Sequence, residues 1–193
     1  MKETSIQKIN TLIEKGFEER SSTDAKACCN SFLLAWEELI KNSPAEYTDF
    51  ATLVAEFNQG EGYDWFAWIW DICEELETAS ATHEECLTER LQFIDAFMQR
   101  FPDTTDEDLI EFLQRNLIKT NFILGKDEEG AEAVATFYQF FPDSVWGYIE
   151  WGDALLKRTP VDKEAVLAIY RKGLTLKDDP DYIDVLKRRI RKM

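Results

Sequence analysis

The chain has 193 residues, with 22 Lys and Arg against 38 Asp and Glu and a formal net charge of -16. That length can bury roughly 70% of the unfolded surface in a core, so folding needs neither disulfide nor metal. With 45% apolar and 13% aromatic residues the chain is not disordered, and its charge repels nucleic-acid backbone and anionic membrane.

Apolar residues recur at helical spacing along the whole chain, with no convincing alternation of period two. Eight Gly and five Pro are also few for an all-β protein of this size. The first segment, Ile6 to Arg20, carries Ile6, Ile9, Leu12, Ile13 and Phe17 on one face. Ser22, Thr23 and Asp24 offer N-cap chemistry for the next helix, which runs to Asn42-Ser43-Pro44. Pro44 fits the first turn of a third helix with Tyr47, Phe50, Leu53, Val54 and Phe57, ended by Gly60 and Gly62. Tyr63 to Ser80 is the most apolar segment. Its arc from Trp65 to Leu76, widened by Phe66, Trp70 and Cys73, predicts neighbours on two sides. Further helices are expected at 84–101, 106–124, 128–141, 144–158, 163–176 and 181–191, joined by short loops as antiparallel neighbours.

No secretory signal is read at the N-terminus. The longest apolar run, Trp65 to Trp70, is far short of the ~20 residues that span a bilayer. Cys28, Cys29, Cys73 and Cys86 form no C-x-x-C pair. Reduced thiols in a cytoplasmic protein are the expectation.

Two stretches echo each other. Phe97-Met98-Gln99-Arg100-Phe101-Pro102-Asp103 recurs 40 residues later as Phe137-Tyr138-Gln139-Phe140-Phe141-Pro142-Asp143. In each, Pro breaks a helix that ends on Phe, and Asp is placed to cap the next. Tyr148-Ile149-Glu150-Trp151-Gly152-Asp153-Ala154-Leu155, followed by Val166, Tyr170, Gly173 and Leu174, resembles the two helices of a tetratricopeptide repeat. Gly152 stands where that family places a Gly for close helix approach. The resemblance is good over 146–180, fair over 105–143 and poor before 60. Asp64 to Asp71 and Glu74-Glu75-Leu76-Glu77 look like the helical region of bacterial proteins ending in a SEC-C motif. The Cys-rich zinc-binding tail of those proteins is missing, so no zinc function carries over. The resemblance implies an all-α right-handed α-α superhelix, a tetratricopeptide-like solenoid of about nine to ten antiparallel helices. One domain is expected over 1–193, with divergent helices over 1–60 and hairpins over 61–193.

Few constellations carry chemistry. His83 and Cys86 have metal-like spacing, but only Cys73 could add a soft ligand where a zinc site wants four. The same pair is the only candidate for Cys-His catalysis, and no Gly-rich turn lies beside it. Asp106-Glu107-Asp108 reads as a helix start. Phosphate-cradling motifs are absent. No catalytic residue, metal or cofactor is therefore expected. Helical spacing makes the tryptophans core residues, with Trp68 and Trp70, at the ends of the apolar arc, partly exposed.

The charge is uneven. Residues 1–60 hold 10 acids and 6 bases, net -4; 61–110 hold 14 and 2, net -12; 111–193 hold 14 and 14, net 0. The expected function is a non-enzymatic adaptor or scaffold that holds a protein or peptide partner, one of basic character, in a concave groove beside the acidic 61–110 surface. The expected contact residues are Trp68, Trp70, Asp71, Glu74 and Glu75. The alternatives are an acidic decoy that imitates nucleic acid, whose carboxylates would form one continuous stripe, and an enzyme with a carboxylate-based site.

Overall fold

A computed structural model describes residues 1–20, 24–58 and 62–193. Ten α-helices and no strand are found among the described residues. They are α1 (Glu3–Glu19), α2 (Ala25–Asn42), α3 (Phe50–Phe57), α4 (Trp65–Ala79), α5 (Glu85–Arg100), α6 (Glu107–Ile123), α7 (Asp127–Phe140), α8 (Trp146–Leu156), α9 (Lys163–Gly173) and α10 (Pro180–Arg191). Where one domain was expected, the chain forms two compact units, Met1–Ile110 and Glu111–Met193.

In the first unit, α1 and α2 form an antiparallel hairpin. Ser5 near the start of α1 donates to Asn42 at the end of α2 (3.0 Å), and Ser31 donates back to Glu19 (2.6 Å). The α4/α5 hairpin lies against it with corresponding helices parallel. Trp65 Nε1 donates to Asn10 at one end of the α1–α4 pair, and Arg20 meets Glu75 at the other (2.7 Å). Likewise Lys26 faces Glu85 (2.7 Å), ten residues before Trp36 stacks on Phe97 (5.8 Å). The ring cluster of Trp36, Phe50, Phe97 and Phe101 fills the space these helices enclose. Its members are buried, and rings at centroid separations near 5 Å add to area burial.

The third helix begins later than its sequence pattern suggests. Pro44 and Tyr47 lie in a loop, and α3 starts at Phe50. Asp49 decides this, because its carboxylate accepts from the N–H groups of Ala51 and Thr52. Arg100 then holds the loop open, donating to the carbonyls of Tyr47 (2.6 Å) and Pro44 (2.7 Å) and to Ser43 Oγ (3.0 Å). Each bond answers a backbone or hydroxyl oxygen that no helix satisfies. Arg100→Ala should cost about 2–3 kcal/mol and make 43–49 the first site of limited proteolysis. Unchanged cleavage there would refute the role of Arg100.

The expected caps are found in part. Asp24 caps α2 through Lys26 N–H, and Asp64 caps α4. Ser22, Thr23 and Gly60 lie outside the described residues. The two Phe-Pro-Asp stops adopt one conformation: Phe101 has φ -124° and ψ 59°, Phe141 has φ -123° and ψ 63°. Asp103 and Asp143 do not cap the helices that follow. Asp106 caps α6 by accepting from Leu109 N–H (2.8 Å), and Ser144 Oγ accepts from Trp146 N–H (3.3 Å). Pro102 and Pro142 are followed by a turn, so the first helical N–H lies too far along the chain for the Asp.

In the second unit, α6, α8 and α10 run parallel. Arg115 pairs with Glu150 (2.9 Å), and Phe122 stacks on Trp151 with planes 8° apart. Trp146 meets Tyr182 (5.5 Å), and Asp153 meets Arg189 one to two turns further on (2.6 Å). Helices α7 and α9 are the return strokes of the hairpins. Gly152 is buried as expected of a close-approach residue: an added Cβ would lie 2.7 Å from Cζ of Tyr170 on α9. The first hairpin repeats this with Gly16 against the ring of Phe32. Gly125 ends α6 with φ 74°, a left-handed turn that side chains resist.

Candidate functional site

The residues proposed for partner contact on α4 are only partly free to make one. Trp68 is 0% exposed and belongs to the core, which corrects its placement at a solvent edge. It faces inward because α4 is covered on both sides, by the first hairpin and by α5. Trp70 is half-buried and Glu74 is exposed. Asp71 and Glu75 both bind the Arg20 guanidinium. The five residues therefore do not form one open surface.

The same pairing dissolves much of the acidic middle segment. Lys26 lies between Glu85 (2.7 Å) and Glu89 (3.2 Å), and its two carboxylate partners hold its ammonium charged well above the usual lysine range. Glu77 meets the buried Arg90 (2.9 Å). Asp64 and Asp106 serve as caps. Arg20 and Lys26 come from the first 60 residues, so a net charge counted along the chain overstates the field in space.

The four cysteines are free and buried. Burial pushes the thiols of Cys28, Cys29 and Cys73 up to about 12 and that of Cys86 to about 11. A thiol so shifted stays protonated at neutral pH and is a poor nucleophile and ligand. His83 stands 3.7 Å from Glu85 and 3.9 Å from Asp24 rather than engaging Cys86. Among the described residues no group of three or more His, Cys, Asp or Glu could hold a metal ion. No helix among the described residues is long and apolar enough to cross a membrane.

One concavity belongs to the second unit. A groove of about 300 Å³ opens where α7 ends and α8 and α10 begin. Three aromatic side chains line it: Phe141 just after α7, Trp146 from the first turn of α8 and Tyr182 from the first turn of α10. Tyr182 is 44% exposed, unusual for a large ring with no structural bond to make there. Glu111, Asp143, Asp178 and Asp179 surround the rings, with Lys177 the one cation among the lining residues.

Three of the four carboxylates have a local reason to be there. Glu111 accepts from Ser144 Oγ (2.5 Å), Asp178 from Val145 N–H (2.7 Å), and Asp179 from Asp181 N–H at the start of α10 (2.8 Å). These bonds fix the rim, so the rings stand on a rigid frame. Below the groove, Arg115 lies 3.8 Å over the Trp146 ring while bonded to Glu150, with Lys119 also near Glu150 (3.8 Å). A guanidinium between an indole face and a carboxylate is thus already built into this wall.

Tyr182 carries no sequence signal, since its place on the rim depends on α10 lying parallel to α8. Trp146 follows the second Phe-Pro-Asp stop, which was legible as a helix end but not as a groove wall. Comparison with protein-family models, characterised proteins and solved structures finds no match for the chain.

Proposed function

We propose that the chain is a non-enzymatic helical-hairpin scaffold, tetratricopeptide-like in build, that holds a polypeptide segment in the groove between α8 and α10. The observation that carries this reading is the pair of rings, Trp146 and Tyr182, presented on a hydrogen-bonded rim. Rigid aromatic anchors in a concave site are the usual energetic centre of peptide recognition. The stacking of hairpins within each unit supports the solenoid reading, because such stacks present side chains of alternate helices along one surface. Four free, buried thiols fit a reducing, cytoplasmic setting.

The test is selection of peptides from a random 12-residue display library on the intact protein, followed by fluorescence anisotropy of the winners. Tyr182→Ala removes a half-exposed ring and no core contact. It should weaken binding about tenfold or more, as loss of a central aromatic does. If every selected peptide binds that variant as tightly as the parent, the groove is not the binding site and the reading fails.

A further inference from the structure

We infer that the groove takes an arginine side chain of its polypeptide partner, its guanidinium lodged between the Tyr182 ring and the surrounding carboxylates. This rests on the reading of the groove as a peptide site and adds the chemistry of what enters it.

The charge balance points to a cation. Glu111, Asp143, Asp178 and Asp179 contribute four negative charges and Lys177 one positive. The N-termini of α8 and α10 both open here and each counts as about half a positive charge. The sum is about -2, so the helix ends alone would attract an anion but the carboxylates outweigh them.

The rings point to a planar cation. Trp146 and Tyr182 meet edgewise at 61° and 5.5 Å, and Tyr182 keeps 44% of its surface exposed at the groove. Such a ring attracts a guanidinium, which also stacks flat and is less strongly hydrated than an ammonium. The protein shows the preference within itself, because Arg115 binds the same indole with Glu150 as its carboxylate partner. Arg115 already takes one face of Trp146, so what the groove offers a second guanidinium is the half-exposed Tyr182 ring and the carboxylates beside it. Its volume of about 300 Å³ suits one long side chain rather than a folded element.

The test uses the intact chain labelled with nitrogen-15. The indole N–H of Trp146 is assigned from the signal missing in Trp146→Phe. Nα-acetyl-arginine amide should shift that signal saturably. The citrulline analogue, equal in shape but neutral, should leave it in place at the same concentrations. Asp143→Lys, at an exposed position outside the caps, should raise the arginine midpoint about tenfold, and added salt should raise it further. An equal shift with citrulline, or none with arginine, overturns the inference. The display-selected peptides separate the two ideas. If peptides without basic residues move the Trp146 signal, the arginine assignment falls and the groove stands. If neither probe nor peptide moves it, both fall.

Discussion

Glu77→Ala should destabilise the protein by about 3 kcal/mol, read as a lower urea midpoint at unchanged slope. Arg90 is 1% exposed, and Glu77 meets its guanidinium at 2.9 Å across the α4/α5 hairpin. Removing the carboxylate leaves the guanidinium charge in a site with little water. The attraction between the two is no measure of what the pair contributes, because both were desolvated to make it. Arg90→Met tests this. It fills much of the same volume without charge and should fall within about 1 kcal/mol of the parent, whereas Glu77→Ala should not. If the two variants lose stability equally, packing around Arg90 rather than its charge is what matters there.

Gly152→Ala should cost about 3 kcal/mol, although alanine is the better helix former by about 1 kcal/mol. The added methyl would overlap the Tyr170 ring, which is buried and held by its hydroxyl donating to Asp153 (2.6 Å). That ring cannot swing aside without giving up its bond. In a Tyr170→Leu background the same change should cost under about 1 kcal/mol, so the two positions should couple strongly in a double-mutant cycle. Additive effects would mean that the backbone of α8 moves instead.

Helix existence was legible because a core-facing stripe repeats every three or four residues whatever it packs against. The all-α class, Gly152 and both Phe-Pro-Asp stops could be read this way. Boundaries failed where a side chain far along the chain intervened. Pro44 looks like a helix start, but Asp49 caps the helix later and Arg100, more than fifty residues on, holds 43–49 as a loop. The burial of Trp68 is not legible, because periodicity gives the width of an apolar arc but not what covers its edges. Asp71 and Glu75 looked like an open acidic face because Arg20 lies on another helix. The groove was hidden for the same reason: Trp146 and Tyr182 are 36 positions apart, and no local pattern brings them together.

The cross-hairpin ion pairs of the first unit have a consequence for how that unit assembles. Helices α4 and α5 hold 7 acids and 2 bases, so the pair alone carries a net repulsion. Arg20 and Lys26 supply the missing cations from the preceding hairpin. The first hairpin therefore stabilises the second by lowering its self-repulsion, and the two halves of the unit are coupled through charge as well as through packing.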